Sequence, residues 1–380
     1  MRIIIIGTAH PYRGGLASYN ERLAHQFKSD GNEVDIYTFV LQYPGFLFPG
    51  KTQFTENPAP EGIRIRRILN SVNPFNWIMT GLRIRKENPD IIIIKYWHSF
   101  MSPCLGTVAR IARKNRAHKS KVICIFDNVI PHEKRPGDRL LTRYFTGSID
   151  GAVVMSRSVG EDLKTFQVNI PVFYNPHPLF DNYGVVLPRE EALRKLDLSN
   201  GYSYLLFFGF IRAYKGLDLL LEAFADKRLR NRNLKLIVAG EFYESAEPYK
   251  NIIKQNVIGN DVLLYDRFIR EDEVAAFFSA ADLVVQPYKS ATQSGVTQIA
   301  YHFEKPMLVT DVGGLSEIVP DGQCGYVVKP EAGPIADAII DFFENKRNNQ
   351  FINGIKTEKL KFTWDKLTNS IIEIYNKTIQ

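Results

Sequence analysis

Short apolar runs alternate with stretches carrying apolar residues at three- and four-residue steps along almost all of the 380 residues. Residues 3–6, four consecutive isoleucines, read as a buried strand. Residues 14–28 read as a helix with Leu16, Tyr19, Leu23 and Phe27 on one face. Strands are predicted at 33–39, 91–95, 121–126, 151–154 and 172–174, with helical stretches between them. The isoleucines at 91–94 require burial on both faces, as in a parallel sheet. Residues 175–189, with Pro176, Pro178 and Pro188 and no periodicity, read as an interdomain connection. The pattern then restarts, with strands at 204–208, 234–239, 262–265, 283–286 and 307–310 and helices at 216–224, 249–256, 271–280 and 295–302. Such alternation predicts an α/β protein of two doubly wound, Rossmann-like halves in tandem, facing each other across a cleft.

Length agrees, since 380 residues exceed one ordinary core. With 45% hydrophobic and 23% charged residues, the composition is that of a soluble globular protein. Cys104, Cys124 and Cys324 are scattered and odd in number, which fits a reducing cytoplasm and argues against a disulfide framework or zinc site. The opening apolar run is too short for a signal peptide or membrane span. Charge is uneven: 24 Lys+Arg against 15 Asp+Glu through Val185, net +9, then 24 against 26. The clusters Arg64-Arg66-Arg67, Arg83-Arg85-Lys86 and Arg110-Arg113-Lys114-Arg116 read either as solvated helix faces or as a surface approaching something anionic. A membrane with a lipid-linked acceptor suits the second reading; nucleic acid does not, for lack of any recognised module.

Candidate chemistry lies in loops between strand and helix. Phe208–Gly216 carries Gly209, Arg212 and Lys215. Thr292–Thr297 places Ser294, Gly295, Val296 and Thr297 at the start of a helix. Side by side, the two loops would offer cations and free helix amides to one anion, and a diphosphate fits. Gly14 and Gly15, after the first strand, let backbone amides approach a ligand, with His10 and Arg13 in reach. No Gly-x-Gly-x-x-Gly run follows a strand, which disfavours a dinucleotide oxidoreductase.

Seven segments in order carry a family resemblance: Pro11–Gly15, Asn128–Glu133, Phe208–Gly216, Ala291–Val296, Lys305-Pro306, Thr310–Gly314 with Glu317, and Phe362–Trp364. The chain resembles the retaining nucleotide-sugar glycosyltransferases of the GT-B fold, the glycosyl transferases group 1, or family 4, type. The resemblance implies an N-terminal acceptor-side domain, 1–185, joined by a helix at 363–380 crossing back. It also implies a C-terminal donor-binding domain, 186–362. It implies donor contacts from Gly14, Gly15, Arg212, Lys215 and the 294–297 loop. Catalysis would be by front-side displacement, the donor phosphate helping to deprotonate the acceptor, with no cofactor and no metal.

The sequence also departs from the family. Phe210 follows Gly209 where an arginine is commoner, and Arg212 comes two positions later. The family's two glutamates fall on Ala291 and Ile299, neither able to bind a hydroxyl; neighbouring Gln298 is a possible replacement or a solvent-facing helix residue. At the end of the strand 121–126, Asp127 stands where many relatives have histidine. His132 would orient a sugar hydroxyl or carry a proton near neutral pH. Both are the catalytic candidates.

The resulting expectation is a cytoplasmic transferase, peripheral to the inner face of the cell membrane. It would move a sugar from a nucleoside-diphosphate donor to a glycan or lipid-linked acceptor in polysaccharide or glycoconjugate synthesis. Two alternatives stay open: a catalytically inactive nucleotide-sugar-binding protein, and an epimerase or phosphorylase on the same fold.

Overall fold

A computed structural model describes residues 1–45, 52–113, 120–130, 136–230 and 232–380. Contacts divide the chain into two units, Met1–His177 with Thr363–Gln380, and Pro178–Phe362.

The first unit is a seven-stranded parallel sheet of β1 (Arg2–Ile6), β2 (Glu33–Leu41), β3 (Arg64–Asn70), β4 (Ile91–Tyr96), β5 (Lys121–Phe126), β6 (Gly151–Val154) and β7 (Val172–Tyr174), in the order β3-β2-β1-β4-β5-β6-β7. The two isoleucine runs meet at its centre, Ile3 opposite Ile91 through Ile6 opposite Ile94, all fully buried. Helix α1 (Gly15–Ser29) links β1 to β2. Helices α2 (Pro74–Glu87), α3 (Ser102–Ala112), α4 (Asp138–Thr146) and α5 (Arg157–Lys164) make the four crossovers from β3 onward. Of these, α2 packs on α3 and α3 on α4.

Strand β3 was not foreseen, because Arg64, Arg66 and Arg67 read as a charge cluster rather than as a strand. The structure pairs it beside β2 and neutralises it from within. Arg64 and Arg66 reach Asp35 at 2.8 and 3.3 Å, and Arg66 reaches Glu87 at 2.8 Å.

The second unit begins with α6 (Arg189–Lys195), then β8 (Ser203–Phe208), α7 (Leu217–Phe224), β9 (Leu234–Ala239), α8 (Glu247–Gln255), β10 (Val262–Tyr265) and α9 (Glu271–Ala280). It continues with β11 (Leu283–Gln286), α10 (Gly295–His302), β12 (Met307–Thr310), α11 (Leu315–Ile318), β13 (Gly325–Val328), α12 (Ala332–Glu344) and α13 (Asn348–Glu358). Its sheet is parallel throughout, in the order β10-β9-β8-β11-β12-β13. The chain winds outward from β8 in one direction and from β11 in the other, so these central neighbours form the switch point where ligands bind such sheets. Residues 178–185, read from sequence as the tail of the first domain, pack within this unit: Phe180 lies against Gly295, and the Gly184 carbonyl meets His302 Nε2 at 2.7 Å.

The final helix, α14 (Trp364–Ile379), rejoins the first unit. Trp364, Leu367, Ile371 and Ile374 are buried there. A Cβ at Gly151 would stand 2.2 Å from Ile374 Cγ2, so only glycine in β6 lets the helix sit this close. Among the described residues no helix is long and apolar enough to cross a membrane.

Candidate functional site

At the switch point of the second unit, β8 runs into Gly209, whose φ of +94° is open to glycine and strained for other residues. The backbone beyond it is held to the end of β9. Gly209 N donates to the Ala239 carbonyl and Ile211 N to that of Glu241, both at 2.9 Å, and Tyr243 N returns to Ile211 O at 3.1 Å. Phe210 thus packs against Tyr243, centroids 4.4 Å apart, while the Arg212 guanidinium lies 5.0 Å from the same ring. The expected difference in arginine position therefore has a local cause: Phe210 is spent on an aromatic wall, and Arg212 heads the next turn.

That turn, Ala213–Lys215, ends at Gly216 with φ +69°. Its closeness to the second loop is direct. A Cβ on Gly216 would fall 1.9 Å from the Pro287 carbonyl oxygen, and Lys289 N donates to Tyr214 O at 2.7 Å. Gly216→Ala is therefore expected to lower stability by about 2 kcal/mol or more, through strain and displacement of one loop from the other. An unchanged urea midpoint would contradict this.

Lys215 Nζ lies 3.3 Å from where a Cβ on Gly209 would be, and Val296 Cγ2 lies 3.6 Å from the same point. Gly209 is thus the shared floor under the lysine ammonium and the start of α10. Lys215 also stands 5.6 Å from the Tyr288 ring centroid, and the Tyr288 hydroxyl is 3.3 Å from Ser294 Oγ. Burial, and secondarily the nearby Arg212 charge, pull the Lys215 ammonium down to about 8. No carboxylate among the described residues pairs with Arg212 or Lys215. Ser294 is the N-cap of α10 without making a side-chain cap, leaving the first amides of that helix to other acceptors. The Lys215 ammonium and the start of α10 thus share one glycine floor, with Arg212 close enough for its charge to be felt by Lys215, an arrangement whose chemistry suits an anion.

The structure brings Arg212, Lys215, Ser294, Gly295 and Val296 together, and turns the other candidates on α10 inward. Thr297 is buried and donates its hydroxyl to Gln286 Oε1 at 3.1 Å. Gln298 is also buried, so the solvent-facing alternative is excluded; its Oε1 has no partner among the described residues. Ala291 and Ile299 are buried as well. Gly313, φ +52°, sits so near that its Cβ would overlap the Ala291 carbonyl oxygen. Apolar packing and close backbone approach occupy the two glutamate positions.

In the first unit, Gly14 has φ +97° and opens α1, with Gly15 as its first residue, at the carboxyl end of β1. Asp127 follows β5 and accepts an ion pair from Lys95 Nζ at 2.8 Å. Lys95 is 1% exposed, 3.4 Å from the Tyr19 ring centroid and 3.8 Å from Met155 Sδ. Burial lowers its pKa, and Asp127 opposes that shift. Asp127, read from sequence as catalytic, therefore serves first as the counter-charge of a buried lysine. Lys95 was missed; a cation closing an isoleucine run was its only signal. His132 lies outside the described residues.

Two family descriptions match this chain: Glycosyltransferase Family 4 over residues 13–179 and Glycosyl transferases group 1 over 188–358. A D-inositol 3-phosphate glycosyltransferase of Pseudarthrobacter chlorophenolicus is 32% identical over 83% of this chain and 78% of its own length. An uncharacterized glycosyltransferase of Methanocaldococcus jannaschii is 24% identical over 99% of this chain and 98% of its own. Among solved structures, Anabaena HepE in complex with UDP and glucose superposes with a TM-score of 0.74 at 13% identity, covering 99% of this chain and 100% of that one. Switch-point loops, parallel sheets and matches along both units agree: the chain belongs to the group 1, family 4 glycosyltransferases, enzymes built on the GT-B fold.

Proposed function

We propose that this enzyme transfers a hexose, with retention, from a nucleoside-diphosphate sugar to a hydroxyl of a glycan or lipid-linked acceptor, in cell-surface polysaccharide or glycoconjugate synthesis. The observation that carries this reading is the pairing of Arg212 and Lys215, without carboxylate partners among the described residues, beside the α10 N-terminus. As a glycosidic bond breaks, negative charge builds on the departing diphosphate. Fixed cations and helix amides in place beforehand stabilise that charge more than they stabilise the ground state. The diphosphate complex of HepE supports the donor class. The acceptor belongs with the basic first unit, near an anionic membrane surface.

Neutralisation by two side chains needs no metal. Turnover is expected to survive a chelator, and a strict manganese requirement would overturn this part of the scheme. Thermal-shift titration with UDP, GDP, ADP and dTDP tests the donor directly. One of them is expected to raise the melting temperature progressively with concentration; no shift with any would remove the donor assignment.

A second reading has a specific observation behind it. Ala291 and Ile299 leave no carboxylate at the two family positions, so a protein that binds the nucleotide sugar without turning it over is the rival. Stabilisation by a nucleotide with no sugar transfer or donor hydrolysis would favour it.

A further inference from the structure

Helix α2 is built the wrong way round for a helix of a globular protein. Apart from half-buried Trp77, packed against the core at its edge, its inward face is made of Thr80, Gly81 and Ile84. Gly81 lies so close to α3 that a Cβ would stand 2.7 Å from Ile111 Cβ. The outward face carries the large apolar side chains: Phe75, Ile78, Met79 and Leu82, with Phe75 81% and Met79 66% exposed. Their spacing puts them on one stripe along the helix. The inward side is fixed by the Asn73 cap, which accepts from Phe75 N and Asn76 N, and by Trp77 Nε1 donating to Asn70 O at 2.7 Å. The stripe therefore has no way to turn into the core.

The same helical layer continues this character. On α4, Leu140 is 72% exposed and Tyr144 is exposed beside it, with the Arg110 guanidinium 3.9 Å from the Tyr144 ring. Charge on the layer is one-sided. Arg83, Arg85 and Lys86 on α2, Arg110 on α3, and Arg139 and Arg143 on α4 are basic. The two acids of these helices are engaged: Glu87 with Arg2 and Arg66, and buried Asp138 with Ser99 at 2.5 Å.

We propose that the α2–α4 face lies against an anionic lipid bilayer. Phe75, Met79 and Leu140 enter the headgroup boundary, while the surrounding arginines and Lys86 meet lipid phosphates. Apolar side chains ringed by cations on one helical layer are what an interfacial helix presents to such a surface. A second copy of the chain fits poorly, because a two-fold contact would set this positive face against itself. The inference deepens the membrane reading given above, naming the face that meets the bilayer.

The test uses the whole chain and sucrose-loaded vesicles of phosphatidylcholine, with or without phosphatidylglycerol. Wild type is expected to sediment with the anionic vesicles at low salt and not with the neutral ones. Phe75→Ser with Met79→Ser is expected to weaken that binding by about tenfold or more, while stabilisation by the nucleoside diphosphate is unchanged. Absence of wild-type sedimentation, undiminished binding by the double variant, or a dimer in light scattering that the variant dissolves would each overturn the proposal. Vesicle binding intact, with nucleotide stabilisation missing from both proteins, would support the surface and count against the donor assignment alone.

Discussion

Removal of both cations from the switch-point loop, by Arg212→Ala with Lys215→Ala, is expected to weaken nucleoside-diphosphate binding by about a hundredfold or more. Each charge-assisted hydrogen bond to a phosphate is worth about 1.5–3 kcal/mol, and two such losses span roughly two to four decades of affinity. The aromatic neighbours Tyr243 and Tyr288 remain in the variant, so the loop keeps its packing. The pH dependence is a sharper test, because Lys215 sits at about 8. Below that value the ammonium is charged and meets the diphosphate ready-made. Above it the free site must take up a proton to bind, so affinity falls as pH rises and binding draws a proton from buffer. Lys215→Met should abolish that slope. Calorimetry in buffers of different ionisation enthalpy reads both quantities, and an unchanged dissociation constant in the double variant would remove these side chains from the donor site.

The second large effect concerns stability. Asp127→Ala leaves the buried Lys95 ammonium against the Tyr19 ring and the Met155 sulfur, neither of which carries a counter-charge. Orphaning one member of a buried ion pair costs about 3–5 kcal/mol, whereas replacing both members by apolar groups is often close to neutral. Lys95→Met with Asp127→Ala is accordingly expected to regain most of what the single change loses. The direction with pH follows from the lowered lysine pKa. The unfolded chain binds more protons than the folded one between the folded pKa and the ordinary lysine value, so stability climbs with pH across that window. Without Asp127 the folded pKa drops further, and the climb begins at lower pH. Urea unfolding at two pH values measures it. A loss within about 1 kcal/mol in the single variant would mean that Lys95 is already neutral in the wild type.

Most of the fold was legible because buried parallel strands announce themselves as continuous apolar runs, and the isoleucines of β1 and β4 could hardly pack otherwise. Strand β3 was not legible. Its alternating arginines are satisfied by Asp35 and Glu87, residues distant in sequence, and no local pattern reports such partners. The closeness of the two switch-point loops could be read because glycines at strand-to-helix turns mark where backbone must approach backbone, as Gly216 approaches Pro287. What could not be read was how α10 is rotated: Thr297 and Gln298 neighbour Val296 in sequence, yet both point inward, Thr297 tied to Gln286. The same ambiguity hid α2. Periodicity shows that a helix has an apolar stripe, not that Gly81 rather than Met79 will meet the neighbouring helix.

Helix α14 is the last element of the chain described here, yet its Ile374 lies over Gly151 of a sheet whose first strand begins at Arg2. The intervening unit is one continuous stretch, Pro178–Phe362. On the ribosome, the half made first must therefore wait with part of its apolar surface uncovered until the half made second has been synthesised. Order of synthesis and order of completion are reversed, which makes the nascent N-terminal sheet the stage at which chaperone protection matters most.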